Sequence, residues 1–509
     1  MKKICIYISL FWIGLTACSD FLEEKPYGVY SNQNYYNTEA DALSALLYAY
    51  SPINYIEYGA RFLFYLTDVT TNQYKNYGRV NETNLYIWDC NPNTDEFLYF
   101  FKYAYLSINR ANSVLENVVK MNNIDLKNKN QILGEAYFLR AFNYFMLVRT
   151  YGKVPLRVKS VQGSNETNAP LASIETIYTL IIEDLEASIS LCGISKHQGR
   201  ADKVGAQALL SKVYLTLASS KMTGAPGYEW VEDGEAMYAK AAQYAGEVVN
   251  EQTTYSLDPD LLRVYDVNHF VDGSEHIFIT SMNREASGME GSYSQTPQMF
   301  GISLPVIWIS SSLTGGTGVQ KVIDGNQSCW SVFRVDADFY DTFDDLDLRK
   351  KLMVSTIYNE NGTVLATWSR DNINSSNPTE NAFYHPFCRK YTDPASLSNR
   401  TSANIYLIRF AEVALTYAEA AGPTQEGYKW VNAVRERAGL GELTPGLDKT
   451  AFREAIWKEL TFELAFEGHG LFELRRINRV MQEITNKQVK EEYAYFFPIP
   501  QREQDLNKQ

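Results

Sequence analysis

The chain has 509 residues, a formal net charge of −13 and a hydrophobic content of 45%. This composition is typical of a globular protein with a large core, and it excludes a disordered acidic tail and a fibrous repeat. The acidic balance also argues against binding to a nucleic-acid backbone, because that affinity comes largely from Lys and Arg.

The N-terminus carries an export signal. Lys2 and Lys3 precede an apolar run over residues 4–17. The run is too short to span a bilayer but has the length of a signal-peptide core. It ends in Leu15-Thr16-Ala17-Cys18, which resembles a bacterial lipobox. We therefore expect residues 1–17 to be removed and Cys18 to carry the lipid anchor; an ordinary secretory signal is the alternative.

Apolar residues then recur at helical spacing in blocks along the chain, which predicts a mainly α-helical protein. Ser173 and Asp448 are suitable N-cap residues, and Gly193, Gly439 and Gly468 stand where helices should end. The blocks cover 43–50, 100–115, 132–151, 174–191, 205–218, 237–249, 405–421, 428–438 and 452–468.

The blocks occur as pairs of helices. The pair at 205–218 and 237–249 resembles a tetratricopeptide unit, in which small residues such as Ala206 and Ala241 let two antiparallel helices approach closely. A second pair lies at 411–420 and 431–437. We predict a scaffold of four such pairs, covering about 38–254 and 401–509.

The pattern changes between about 255 and 400. Short β-like runs at 277–279, 305–308 and 354–357 alternate there with polar loops rich in Gly and Asn. Long loops inside a compact protein tend to be functional. We therefore predict a loop-rich, ligand-binding insertion with short β-strands, and we expect the early loop at 55–93 to contribute to the same site.

Aromatic residues are concentrated in the early loop and the following helix, where residues 55–105 include 15 Phe, Tyr or Trp. Rings mixed with Asn and Arg suit sugars, because a pyranose stacks its C–H face on a ring while its hydroxyls need polar partners. Any one of these rings could instead belong to the core. The candidate ligand-binding residues are Asn72, Tyr74, Arg79, Trp88, Asn93, Tyr293, Trp308, Trp330 and Trp368.

No catalytic or nucleotide-binding motif is present, and the five histidines form no zinc-protease pattern. Glu459, Glu463 and Glu467 share one helical face. The favoured interpretation is a structural ion network with Arg475 and Arg476, and the alternative is an acid–base pair of a glycoside hydrolase. We therefore expect neither catalysis nor a cofactor.

Two further features allow more than one interpretation. Asp341, Asp344 and Asp345 belong to an acidic cluster that could hold Ca²⁺, although helix capping and solvation explain it better because the EF-hand pattern is missing. Four widely spaced cysteines could form two disulfides or stay buried thiols; they are Cys90, Cys192, Cys329 and Cys388.

Several segments together resemble the SusD/RagB family of Bacteroidetes outer-membrane nutrient-binding lipoproteins. The resemblance covers essentially the whole mature chain, although the family commonly has a basic residue at the position of His469 or Gly470 and often an Asp where Glu473 stands. The matching segments are 109–112, 134–144, 151–156, 463–468, 472–476 and 496–500.

This resemblance implies a single domain over 18–509, a tetratricopeptide-like helical fold and no catalysis. It also implies a lipid-anchored protein on the outer-membrane surface, and the acidic stretch after Cys18 resembles the surface-export signals of such lipoproteins. The implied role is to capture oligosaccharide and deliver it to a SusC-like TonB-dependent transporter. The alternative is a RagB-like protein that captures peptides.

Overall fold

The computed structural model describes residues 35–507 except for 77–83, 162, 164–167, 198, 271, 287–293, 295, 302–305, 324–329, 331, 371–384 and 399. The expected signal peptide and Cys18, the expected lipidation site, lie outside these residues.

Helices account for about half of the described chain. In chain order they are α1 (Glu39–Tyr50), α2 (Phe62–Thr67), α3 (Asp95–Val118), α4 (Leu126–Tyr151), α5 (Ile174–Leu191), α6 (Lys203–Thr223), α7 (Gly234–Asn250), α8 (Leu261–Val264), α9 (Thr296–Phe300), α10 (Ala337–Asp341), α11 (Phe410–Ala421), α12 (Gln425–Arg437), α13 (Lys449–Glu463), α14 (Gly470–Arg476), α15 (Val480–Glu483) and α16 (Gln501–Leu506). A π-helical turn covers Ile56–Ala60, and 3-10 turns cover Ser51–Asn54, Leu348–Leu352 and Glu491–Tyr493.

The long helices form the predicted pairs. Helix α1 packs on α3, α4 on α5, α6 on α7, and α11 on α12. Each pair also contacts the next, since α3 touches α4, α5 touches α6, and α7 touches α11. The prediction of a mainly helical, tetratricopeptide-like scaffold is therefore confirmed.

The predicted helix ends are largely correct. Ser173 accepts a hydrogen bond from the backbone N–H of Thr176 at 3.1 Å, and Asp448 accepts one from Ala451 at 2.8 Å. The block predicted to run from 452 to 468 ends earlier, at Glu463, and a turn follows in which Gly468 has a φ of +80°. A Cβ at Gly468 would lie 2.9 Å from the Leu63 side chain, so glycine is needed there for space as well.

The strands are β1 (Tyr74–Asn76), β2 (His276–Ile279), β3 (Ile307–Ser310), β4 (Val319–Ile323), β5 (Phe333–Val335), β6 (Met353–Val354), β7 (Thr356–Tyr358), β8 (Val364–Thr367), β9 (Phe387–Cys388) and β10 (Tyr406–Arg409). They form a four-stranded antiparallel sheet in the order β4-β3-β7-β8 and three antiparallel pairs, β1 with β5, β2 with β10, and β6 with β9.

Strands β2 to β9 lie between residues 255 and 400, and two strands outside this range attach it to the scaffold. Strand β1 of the early loop pairs with β5, and β10 pairs with β2. The start of the block at 405–421 was predicted as helix, and this was wrong. Residues Tyr406–Arg409 are buried on both sides and bond to β2, so tertiary pairing decides their conformation over local periodicity.

A main core runs through the helices, and a second, smaller core lies beneath the four-stranded sheet. Helix α10 lies between the two. Its Ala337 and Tyr340 pack into the small core, while Phe339 belongs to the main core. The side chains that fill the small core from the sheet are Ile307, Ile309, Val322, Ile357 and Ala366.

A buried ion network joins the 255–400 region to the scaffold. Arg409 lies at its centre, 1% exposed, and its guanidinium is 2.7 Å from a carboxylate oxygen of each of Glu275, Glu463 and Glu467. Further cations complete the network from both parts of the chain. Arg437 pairs with Glu275 and Glu463, Lys390 with Glu467, and Arg349 with Asp347, Glu459 and Glu463.

Candidate ligand-binding site

Three of the predicted ligand-binding rings are enclosed in the cores. Tyr74 and Trp88 are 0% exposed and Trp368 is 8% exposed. The Trp88 ring donates from Nε1 to the carbonyl oxygen of Thr70 at 2.9 Å. Tyr74 stacks 4.6 Å from the ring of Phe300. The prediction that these three rings stack on a ligand is wrong for this structure, because none has an open face.

The burial of these rings has a physical origin. The early loop contains a buried helix, α2, and strand β1 pairs with β5, so residues 62–71 and Tyr74 lie inside the fold. Trp368 follows β8 and turns beneath the sheet, where its ring lies 5.4 Å from that of Tyr340. Packing against elements distant in the sequence therefore decides where these side chains lie.

The two predicted asparagines lie at the surface. Asn72 donates from Nδ2 to the carbonyl oxygen of Glu483 at 2.5 Å, while its Oδ1 is buried without a hydrogen-bond partner. Asn93 is exposed in the turn before α3, where its backbone N–H bonds to Oδ1 of Asn91 at 2.9 Å. Arg79 and Tyr293 fall outside the described residues, so their roles stay predictions.

The two remaining predicted tryptophans, Trp308 and Trp330, are half-buried. Trp330 packs against the main core. Trp308 lies on β3 between the buried side chains of Ile307 and Ile309. Side chains alternate between the two faces of a strand, so the ring lies on the outer face of the sheet. Among the described residues, no ring or cation stacks on Trp308.

Neighbouring strands extend the surface around Trp308. Lys321 on β4 and Tyr358 on β7 are its cross-strand partners, and paired residues share one face of a sheet. Thr356 and Thr367 form the next pair, with their Oγ1 atoms 3.3 Å apart. We call these five residues the sheet platform. It offers rings for stacking beside hydroxyl and ammonium groups for hydrogen bonds.

Four residues of the sheet platform were not predicted: Lys321, Thr356, Tyr358 and Thr367. The sequence does contain a signal for two of them. Thr356 and Tyr358 alternate with the apolar Ile357, as outward-facing residues alternate with buried ones along a strand. The pairing of Trp308 with Tyr358 joins positions 50 residues apart, and no local pattern shows such a contact.

A separate groove of about 780 Å³ lies where the two predicted regions meet the C-terminal helices. It is lined by Asn72 of the early loop, by Phe339 of α10 and by Trp457 and Phe462 of α13. The groove and the sheet platform lie on opposite sides of the small core, because α10 packs against the inner face of the sheet.

The rings of the groove are covered by other side chains. The guanidinium of Arg479 lies 5.1 Å from the Trp457 ring, and the ring of Phe343 lies 4.3 Å from that of Phe462. Charged groups at its edge include Glu454, which pairs with Arg479 at 2.7 Å. The groove therefore offers little open ring surface for stacking, whereas the sheet platform offers the ring of Trp308.

The glutamate stripe has no catalytic arrangement. Arg437, Arg409 and Arg349 all contact Glu463, which is 1% exposed. Burial raises the pKa of this carboxyl, but the three guanidinium groups outweigh burial and hold the pKa well below its ordinary value. A general acid needs a pKa near the working pH. All three glutamates of the stripe are buried and paired with cations, so the structural ion network is confirmed and the glycoside-hydrolase interpretation gains no support.

The predicted partners Arg475 and Arg476, however, do not pair with that stripe. Arg475 donates to the backbone carbonyl oxygens of Arg149 and Ala494, each at 2.9 Å. Arg476 pairs with Glu419 at 2.8 Å and with Glu473 at 2.7 Å. The cations of the stripe come instead from distant segments, which sequence proximity does not indicate.

The carboxylates of the acidic cluster bond to groups of nearby residues. Asp341 accepts from Arg370 at 2.5 Å, and Asp345 pairs with Lys350 at 2.7 Å. Asp344 accepts the backbone N–H of Leu346 at 2.8 Å. In the described ranges no group of three or more His, Cys, Asp or Glu side chains is placed to hold a metal ion. The suggestion of a Ca²⁺ site at Asp341, Asp344 and Asp345 therefore gains no support.

The described cysteines are Cys90, Cys192 and Cys388, and all three are buried free thiols. Burial raises the pKa of Cys90 to about 11, and those of the other two to about 12. Such thiols are poorly reactive at neutral pH. Cys329 lies outside the described residues. Across the part of the chain that the structure covers, no helix combines the length and the apolar content that a membrane span requires.

Two family models match the chain over most of its length. Residues 20–215 match a family described as "Starch-binding associating with outer membrane", and residues 274–509 match the SusD family. The SusD-like protein P2 of Formosa agariphila is 27% identical over 506 residues, which cover 94% of this chain and 91% of that protein.

Solved structures share the fold. A SusD homologue from Bacteroides thetaiotaomicron superposes with a TM-score of 0.75 at 24% identity, covering 94% of this chain and 97% of the other. A laminarin-binding SusD-like protein gives 0.72 at 22% identity, with coverages of 92% and 98%. Surface glycan-binding protein A from B. thetaiotaomicron, solved with laminarihexaose, gives 0.68 at 18%, with coverages of 93% and 98%.

Proposed function

Because this chain belongs to the SusD family, we propose that it is a cell-surface protein that binds glycans and not an enzyme. The observation that supports this most directly is the partly exposed ring of Trp308 on the outer face of the sheet. The neighbours that bind laminarin or carry laminarihexaose support a glycan as the class of ligand.

In this proposal the sheet platform holds the sugar. The C–H face of a pyranose stacks on Trp308, and a second sugar unit reaches Tyr358 on the adjacent strand. Lys321 and the threonine pair supply donors and acceptors for the hydroxyl groups. Binding by stacking and by hydrogen bonds to uncharged hydroxyl groups also fits an acidic chain, whose net charge of −13 favours neutral over acidic glycans.

Titration calorimetry against a panel of neutral and acidic oligosaccharides and of peptides tests the function. The panel includes laminarihexaose and an acidic glycan of similar length. We expect binding to at least one neutral glycan and weaker binding to the acidic ones. Binding to peptides without binding to any glycan would contradict the proposal.

Anchoring and delivery complete the proposed role. Cys18 would carry the lipid that holds the protein at the outer membrane, and the bound glycan would pass to a SusC-like TonB-dependent transporter. The tetratricopeptide-like helix pairs would contact this transporter, because stacked helix pairs present an extended surface for protein binding. Co-purification with the transporter, lost when charges are reversed on that surface, would support this arrangement; unchanged co-purification would contradict it.

Replacing Cys18 with Ala is expected to abolish lipid attachment, because the Cys sulfur is the atom that receives the lipid. Incorporation of radiolabelled fatty acid should fall to background, and the protein should no longer fractionate with the outer membrane. A Cys90→Ala variant is the matched control, since Cys90 is a buried thiol inside the fold. Equal labelling of the two variants would show that Cys18 is not the anchor.

Capture of peptides is a second candidate function. Strands β4 and β8 are the outer strands of the four-stranded sheet, and an extended peptide can add to such an edge through main-chain hydrogen bonds. Val364 and Leu365 on β8 are 52% and 47% exposed and could contact its side chains. The peptide arm of the calorimetry distinguishes this function from glycan binding.

A further inference from the structure

A second pocket lies away from the sheet platform and the groove, between α3 and α16. Its volume is about 450 Å³. Leu98, Phe101 and Leu106 of α3 and Leu506 of α16 form much of its wall. Leu506 is 61% exposed, so its side chain adds apolar surface at the mouth of this pocket. The pocket therefore offers an apolar surface that the described residues leave open.

The rim of this pocket is basic. Lys102, Arg157 and Arg502 line it together with one acidic residue, Glu503. That carboxylate is already engaged, since it accepts from Nδ2 of Asn507 at 2.6 Å. Three cations around an apolar pocket stand out in a chain with a net charge of −13. The complementary occupant carries apolar side chains flanked by carboxylates.

The chain contains such a segment outside the described residues. Residues 20–24 read Asp-Phe-Leu-Glu-Glu, so two apolar side chains are flanked by three carboxylates. The described chain begins at Tyr35, and the hydroxyl of Tyr36 lies 3.1 Å from Oγ of Ser113 on α3. The chain thus enters the fold along the helix that forms the pocket wall.

We propose that residues 20–24 dock in this pocket, with Phe21 and Leu22 against the leucines and Phe101, and with the carboxylates at the basic rim. The distance permits it. The 11 residue steps from Glu24 to Tyr35 can span about 36–40 Å when extended. The pocket wall from Ser113 back to Leu98 follows 15 residues of helix, about 22 Å.

Docking of this segment would also fix the protein at the membrane. Cys18 stands two residues before Asp20, so a docked segment would hold the lipid attachment site beside α3 and α16. The protein would then present one defined side to the membrane instead of moving on a long tether. This consequence rests on the proposed lipidation of Cys18, whereas the docking itself does not.

Cysteine cross-linking in the full chain tests the docking. Leu22→Cys is combined with either Leu506→Cys at the pocket or Leu126→Cys at the start of α4, in a Cys329→Ser background. Leu126 is 69% exposed and is the matched control, because Asn123 bonds to the backbone of Asn37, so Leu126 lies near the entry of the chain. We expect disulfide formation at Leu506 to be about tenfold faster than at Leu126.

A charge variant separates docking from chance encounter. Neutralising Asp20, Glu23 and Glu24 to Asn and Gln should lower the cross-linking rate at Leu506 to that of the Leu126 control, and so should the pair Arg157→Gln and Arg502→Gln. Equal cross-linking rates at Leu506 and Leu126 with the acidic residues of the segment intact would overturn the proposal. So would a cross-linking rate at Leu506 that neither charge variant changes. Glycan binding should be unchanged in these variants, so failure of the docking and failure of the proposed function can be told apart.

Discussion

Replacing Arg409 with Met is expected to lower the free energy of unfolding by about 3–5 kcal/mol. The guanidinium contacts Glu275, Glu463 and Glu467, and all four side chains are almost completely buried. Removing one partner of a buried ion pair leaves the other charge without compensation in a medium where water cannot solvate it. Met keeps much of the side-chain volume of Arg, so the loss of stability measures the missing charge and not a cavity.

Urea-induced unfolding followed by circular dichroism measures this effect. Lys429→Met is the matched control, because Lys429 pairs with Glu426 at 2.9 Å on the surface, where both side chains are about half exposed. An exposed pair of this kind contributes about 0–1 kcal/mol. If the Arg409 variant lost no more stability than the Lys429 variant, the network would not hold the 255–400 region on the scaffold.

Replacing Trp308 with Ala is expected to weaken binding of the best glycan ligand by about ten- to a hundredfold, which corresponds to about 1.4–2.8 kcal/mol. Trp308 is half-buried in the free protein and offers its exposed part to the sugar. Burial of that surface against a pyranose, together with stacking, accounts for a change of this size. The variant should fold normally because the inner face of the sheet is unchanged.

Titration calorimetry with the same glycan measures the loss. Trp308→Phe should retain part of the affinity, because it keeps a ring at the platform. Trp430→Ala removes a half-buried tryptophan of α12, whose Nε1 donates to Asn250, and should leave the affinity unchanged. Wild-type affinity in Trp308→Ala would place the glycan elsewhere, and the groove beside Asn72 would be the next surface to examine.

The helical scaffold could be predicted from the sequence because its signals are local. Apolar spacing and the caps at Ser173 and Asp448 depend on residues within a few turns of one another. The start of the 405–421 block was the exception, since Tyr406–Arg409 pair with a strand about 130 residues away and become β10. Where a partner strand supplies the backbone hydrogen bonds, helical spacing of apolar residues no longer predicts a helix.

The site was predicted less completely, since exposure depends on contacts between distant segments. Composition alone cannot separate Trp308, which faces solvent, from Trp88, which bonds to Thr70 inside the fold. The glutamate stripe shows the same limit. Its shared helical face was evident, but its central cation, Arg409, comes from a strand 54 positions before Glu463.

Helix α10 has a consequence for how the two candidate surfaces behave together. This five-residue helix places Tyr340 in the small core behind the sheet platform and Phe339 in the wall of the groove. Variants on the two surfaces therefore share α10 as a packing partner, and residues that share a partner commonly show interaction free energies. Free-energy changes measured for variants of the platform and of the groove should therefore not be treated as additive, and a double-mutant cycle through α10 would give the coupling between them.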